Sequence, residues 1–176
     1  RLNEDVEIII LERTGEVSIA NCGLPYYISD VIPNRDSILV STPQKFKSWF
    51  NIDVRLETEV VEINKEEKFV LTNSNEKLSY DYLVLANGAS PIVPDFAGLN
   101  KDKTFVVRTL NDADKIKNYI KNNSVKKVAV IGGGFIGIEI AENLIEMGLD
   151  TTLIELNNQI LASLRGSRID LWIEPR

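Results

Sequence analysis

Apolar positions run along the chain in two periods, and the alternation between them predicts its elements. Val6–Leu11 reads VEIIIL and closes on Glu12, a nearly unbroken apolar run of the kind carried by parallel strands buried on both faces. Between residues 54 and 86 the pattern stays β, in Val54–Leu56, Glu59–Ile63, Phe69–Leu71 and the strong run Tyr82–Ala86, which Asn87-Gly88 ends. Helical signals occupy other stretches. Thr42-Pro43 offers an N-cap and a proline at the first helical position, opening a short helix through Trp49 and Phe50. Asn111-Asp-Ala-Asp starts a second helix that ends near Asn122. Lys127–Ile131 (KVAVI) is then a strand, Gly132–Gly148 a helix opened by glycines and Thr151–Glu155 (TTLIE) a second parallel strand, which together make a βαβ unit.

Pro91, Pro94 and Gly98 mark the best internal boundary. It separates residues 1–97 from a βαβ domain over 98–161, and residues 162–176, without a clear period, form an unassigned tail. A strand buried on both faces needs neighbours on each side, and five residues precede Val6. Its sheet partner is therefore expected upstream of Arg1, and the chain is expected to be a core fragment of an α/β protein.

Composition restricts the chemistry more than the fold. The 176 residues include one cysteine and no histidine, with 26 Asp and Glu against 20 Lys and Arg. One thiol cannot form an internal disulfide. Without imidazole, neither Ser-His-Asp nor Cys-His catalysis nor an H-E-x-x-H zinc site can be built within the chain, and no metal site is expected. A pI near 4.8 with scattered charge argues against nucleic acid as a partner, because phosphate binding needs a basic face to release counterions. The chain is 44% hydrophobic, yet no apolar run approaches the roughly 20 residues of a membrane span. The opening Arg-Leu-Asn-Glu-Asp has no leader pattern. An unpaired cysteine fits a reducing cytoplasm, the expected location.

Gly132-Gly-Gly134-Phe-Ile-Gly137 matches G-x-G-x-x-G, and its context gives the match weight: it follows the strand KVAVI, opens a helix and has Glu155 at the end of the next strand. Gly132 makes the strand-to-helix turn, Gly134 lets backbone approach a pyrophosphate, and Gly137 lets helix and strand pack closely. N–H groups at the helix start then hold the phosphates. Glu155 would accept hydrogen bonds from the adenosine ribose hydroxyls. No Arg or Lys occurs from Thr151 to Leu164 to neutralise a 2′-phosphate, so NADH is favoured over NADPH. The first strand also ends on an acid, Glu12, which suggests a second dinucleotide site.

Four features now stand in order: Glu12 after a strand, SIANCGLPYY at 18–27, YDYLVLANGASP at 80–91 and IGGGFIGIEIAENLIEMG at 131–148. In that order they resemble the flavin-dependent pyridine nucleotide-disulfide oxidoreductases, and within them the coenzyme A disulfide reductase branch, over residues 1 to about 161. The resemblance implies a partial FAD-binding Rossmann-type domain with an inserted NAD(P)-binding Rossmann domain, FAD and NAD(P)H as cofactors, and a homodimer for the full-length form. It implies that Glu12 binds the FAD ribose, that Val60 contacts the adenine, and that Ala86, Asn87 and Gly88 pass the flavin dinucleotide. Cys22 matches the redox cysteine, with Asn21 and Ser18 as its neighbours. Glu139 matches an acid near the nicotinamide, with an ordinary helix carboxylate as the competing reading. The glycine loop of the FAD site and the family's return to the FAD domain have no counterpart in the chain.

Two-cysteine members of the family use C-x-x-x-x-C, whereas Tyr27 stands five residues after Cys22. The second sulfur must then arrive with the substrate, a low-molecular-weight disulfide such as coenzyme A disulfide. A thiolate at Cys22 needs stabilisation without histidine, and a short helix beginning at the cysteine could supply it. Two other readings remain open. The same sulfur could cycle through sulfenic acid in an NADH oxidase or peroxidase acting on oxygen or peroxide, or the fragment could be an inactive nucleotide-binding module.

Overall fold

Ile9–Leu11, the C-terminal half of the first apolar run, forms strand β1 and pairs in parallel with β4 (Asp53–Arg55) in the register Ile9 to Asp53 and Leu11 to Arg55, while Val6 and Ile8 lie outside the strand and are exposed. The computed structural model describes residue 3 and residues 5–161, and the unassigned tail at 162–176 lies outside them. Between β1 and β4 run β2 (Ser18–Ile19), antiparallel to β3 (Leu39–Ser41), helix α1 (Leu24–Ile28) and helix α2 (Pro43–Phe50). The α2 ends are set by local chemistry. The Thr42 hydroxyl accepts from the Lys45 N–H, Pro43 fills the first turn, and Asn51 stops the helix in the left-handed region at φ 52°.

β5 (Val60–Asn64), β6 (Phe69–Thr72) and β7 (Lys77–Ser79) form an antiparallel meander. Phe69, Val70 and Thr72 on β6 are buried, which makes the central strand the core of this layer. Burying a side chain the size of Val70 contributes about 1.5–3 kcal/mol over leaving it exposed. The buried Thr72 hydroxyl bonds Ser74 and accepts from the Glu76 N–H, so its polar atom is satisfied within the turn.

The chain divides into two units, residues up to Leu24 with Asn34–Asp112, and Pro25–Pro33 with the chain from Ala113. In the second, β8 (Lys127–Ile131) and β9 (Asp150–Ile154) pair in parallel from Lys127–Asp150 to Ile131–Ile154, joined through α4 (Phe135–Glu146). Ile140, Ala141, Asn143 and Leu144 form the buried side of α4. Gly148, at φ +80°, turns the chain out of the helix into β9. Helix α3 (Leu110–Asn122) begins with a reciprocal cap, in which the Thr109 N–H donates to Asp112 and the Asp112 N–H donates to the Thr109 hydroxyl.

The fold is mixed α/β, as expected. One expected element is corrected. Tyr82–Ala86 lies in no strand, and Tyr82, Val84 and Leu85 are exposed, as is Ile92 further on. Apolar composition alone does not make a strand: the backbone N–H and C=O groups need a ladder, and this run pairs with none of the described strands.

Candidate functional site

Between β8 and α4 stand three consecutive glycines, with a fourth, Gly137, in the first turn of α4, and Gly132, Gly134 and Gly137 each meet a different constraint. Gly132 has φ +106°, a conformation that costs a residue with Cβ. A Cβ on Gly137 would run into the Gly132 carbonyl oxygen, far inside contact distance, so the first turn of α4 packs on the loop only because that side chain is a hydrogen. Gly134 caps α4 in extended backbone, and a Cβ there would meet no atom of the described residues. Packing among the described residues therefore does not explain glycine at 134. The N–H groups of the first turn of α4 lack acceptors within the helix.

Glu155 closes the loop from the β9 side. The Gly133 N–H donates to its Oε2 at 2.6 Å, and the Asn157 N–H and Nδ2 donate to Oε1 at 2.8 and 2.7 Å. These bonds, led by the Asn157 N–H and followed by the Gly133 N–H, hold the Glu155 carboxyl below its ordinary pKa. The unfolded carboxyl titrates near ~4.3. The stability it contributes is thus complete above that value and is lost as pH falls through the lower folded value. Glu155→Gln should therefore lower the melting temperature at pH 7 and converge on the wild type as the pH falls below the lowered folded value. Circular dichroism melts across that range test this, and a gap that does not narrow in acid refutes it.

Glu12 is held in the same manner at the end of β1. The Thr14 N–H and hydroxyl both donate to Glu12 Oε1 at 2.8 Å. At both sites an acid just after a parallel strand is fixed by the backbone and side chain of the second residue on. Thr14, Gly133 and Asn157 were not singled out from the sequence, and the signal that could have found Thr14 and Asn157 is the short polar residue two positions after each acid.

Cys22 is exposed and lies in the 3-10 turn Asn21–Gly23, closed by the Gly23 N–H donating to the Ala20 carbonyl at 2.8 Å. The helical run continues directly into α1, so the short helix expected at the cysteine forms in two pieces. Asn21 shares the turn with Cys22, and Ser18 lies just before it in β2, opposite Ser41. Val60 opens β5 opposite Thr72. Ala86, Asn87 and Gly88 are exposed; Gly88 has φ +67°, and Arg108 Nε donates to the next carbonyl, that of Ala89, at 3.0 Å. Glu139 lies in the second turn of α4, and its backbone carbonyl accepts from Asn143 Nδ2. Among the described residues no helix is long and apolar enough to cross a membrane.

A parallel βαβ unit with a glycine loop whose second strand ends on a fixed acid defines a dinucleotide-binding protein. The pyridine nucleotide-disulphide oxidoreductase family model matches residues 1–175, and the chain belongs to that family. It is 40% identical over 165 residues to an NADH oxidase of Methanocaldococcus jannaschii, covering 92% of this chain and 37% of that protein. It is 42% identical over 165 residues to a coenzyme A disulfide reductase of Staphylococcus aureus, covering 91% of this chain and 37% of that one. The crystal structure of reduced Bacillus anthracis CoADR-RHD superposes with a TM-score of 0.86 at 46% identity, over 92% of this chain and 30% of that one. The chain thus spans about a third of the length of these relatives.

Proposed function

We propose that the chain is the core of a flavin-dependent NAD(P)H:disulfide oxidoreductase that reduces a low-molecular-weight disulfide, coenzyme A disulfide, through the single redox cysteine Cys22. The observation that carries this is the placement of the only cysteine, exposed in the 3-10 turn Asn21–Gly23 with a buried tyrosine, Tyr27, where a second thiol would be. The 42% identity to a coenzyme A disulfide reductase supports the substrate.

In this reading residues 1–97 belong to the FAD domain and 98–161 to the NAD(P) domain. The residues present suit both dinucleotides. Gly132, Gly134 and Gly137 leave a cradle that a Cβ would fill or distort, and Glu155 offers a fixed acceptor for ribose hydroxyls. Its negative charge favours NADH over NADPH. Glu12 offers the same acceptor in the first unit, with Val60 and Ala86–Gly88 completing what this chain contributes to FAD. Bound FAD supplies a two-electron relay between nicotinamide and sulfur.

Cys22 acts as a thiolate. Its Sγ attacks one sulfur of the disulfide, the substrate S–S bond breaks, a mixed disulfide with Cys22 forms and one thiolate leaves. Two electrons originating in NAD(P)H then cleave the mixed disulfide, returning the Cys22 thiolate and releasing the second thiol. One NAD(P)H and one proton are consumed for each pair of thiols formed. Asn21, which shares the turn of Cys22, and Ser18 are assigned to the sulfur's side of the site, and Glu139 to the nicotinamide end.

The 40% identity to an NADH oxidase favours a second reading, in which Cys22 cycles through sulfenic acid. Two measurements on the full-length protein separate the readings. NAD(P)H-dependent thiol release from coenzyme A disulfide supports the first; fast peroxide turnover without thiol release reverses the preference. A flavin absorbance spectrum of the 176-residue chain also tests whether it is only a nucleotide-binding module, which would be colourless and still bind NADH.

A further inference from the structure

Asn157 stands two residues after Glu155, and the dinucleotide reading gives its side chain no part. It donates to Glu155 Oε1 twice, from its N–H at 2.8 Å and from Nδ2 at 2.7 Å. A carboxylate has about four lone-pair sites over its two oxygens, so both sites of Oε1 are engaged. Oε2 accepts the Gly133 N–H at 2.6 Å and is the oxygen left to take a hydroxyl. The carboxylate is thus pinned at both ends, by donors whose bonds to an ionised oxygen are roughly twice as strong as bonds between neutral groups.

The backbone to which Glu155 is pinned is itself held. The Gly133 carbonyl accepts from the Leu161 N–H at 2.8 Å, and a Cβ on Gly133 would stand 2.9 Å from Ile160 Cγ2 and 3.1 Å from Glu155 Oε2. Residues 155–161 therefore lie directly against the glycine loop, and position 133, which G-x-G-x-x-G leaves free, is not free in this chain. Asn157 is exposed, so its side chain is fixed by the acid and not by core packing. No Lys or Arg occurs from Thr151 to Leu164 to take its place. The same arrangement follows the first strand, where the Thr14 N–H and hydroxyl both donate to Glu12 Oε1 at 2.8 Å. Asparagine at one acid and threonine at the other share one property, a side-chain donor that reaches two residues back.

We propose that Asn157 is a positioning residue that sets the choice between NADH and NADPH: by occupying Glu155 Oε1 it leaves Oε2 as the acceptor for the adenosine ribose and keeps the carboxylate charge fixed there. The proposal rests on the reading of the glycine loop as the NAD(P)H site. Without the Asn157 side chain, Glu155 gains freedom about its own side-chain bonds. The ribose hydroxyls then lose a preset acceptor, and the charge that repels a 2′-phosphate is free to move away from it. NADH loses affinity and NADPH does not.

The test uses the 176-residue chain as wild type, Asn157→Ala and Asn157→Thr. Two quantities are measured: the affinities for NADH and NADPH by calorimetric titration, and the titration midpoint of the Glu155 carboxyl by NMR. Asn157→Ala should weaken NADH by about tenfold while leaving NADPH unchanged. Asn157→Thr, which copies the donor found at Thr14, should restore most of the preference. A loss shared equally by both nucleotides is what a purely structural role would give, and it overturns the proposal. So does an unchanged ratio, a threonine variant that behaves as the alanine one, or a wild type that binds both nucleotides equally. If the wild type binds neither, the dinucleotide reading fails by itself, and the NMR midpoint decides the hold on Glu155. A midpoint that rises in Asn157→Ala and returns in Asn157→Thr supports it, and one that is the same in all three proteins overturns it.

Discussion

Cys22→Ser in the full-length protein should abolish NAD(P)H-dependent release of thiols from coenzyme A disulfide, by roughly 10³-fold or more. The substitution removes the one sulfur in this chain able to form a mixed disulfide, and a serine hydroxyl is neither ionised near neutral pH nor able to exchange with a disulfide. The side chain at 22 is exposed, so no core packing is lost and the melting temperature should stay within about a degree or two of wild type. NADH binding at the glycine loop should also persist. The measurement is thiol release with NADH in excess, paired with mass spectrometry of the oxidised wild-type chain. A coenzyme A adduct on Cys22 marks the disulfide cycle, and the gain of a single oxygen marks the sulfenic cycle. Thiol release that survives in Cys22→Ser would remove Cys22 from the mechanism altogether.

The two sites were legible in the sequence to different degrees. The βαβ unit was readable almost to the residue, because every signal there is local: KVAVI is β8 over its whole length, and TTLIE is β9 displaced by one residue. The turn at Gly132 and the close packing at Gly137 follow from backbone geometry, and the structure adds Gly133, whose N–H rather than a side chain does the holding. α2 was equally readable, since Thr42 and Pro43 act on their own turn. What escaped depends on partners distant in the chain. β2 and β3 are short strands without an apolar period, and they exist because Ser18 and Ile19 meet Ser41 and Leu39. The reverse failure is Tyr82–Ala86, whose composition promises a strand that no described strand completes.

Gly137→Ala is expected to damage the second unit more than any other single methyl group added at the loop. The new Cβ would overlap the Gly132 carbonyl oxygen and press on the Gly132 carbonyl carbon at 3.0 Å, both of them backbone. Neither atom can rotate away as the end of a flexible side chain could. Gly132 is itself held, since its N–H donates to the Ile154 carbonyl at 2.8 Å in continuation of the β8–β9 ladder. Relief therefore requires α4 to lift from the loop, which separates its first-turn N–H groups from the place where the phosphates would sit. Overpacking of this kind costs about 1–3 kcal/mol of stability, and NADH affinity should fall by roughly 100-fold because the ligand contacts are made by the displaced backbone itself. Gly134→Ala is the matched control. Its Cβ meets no atom of the described residues, so the melting temperature should hold while NADH binding weakens through contact with the ligand alone. Calorimetric titration with NADH and thermal melts of both variants separate the two effects. If Gly137→Ala binds and melts like the wild type, α4 does not pack on the loop in solution as it does in this structure, and the assignment of the loop to a dinucleotide loses its geometric basis.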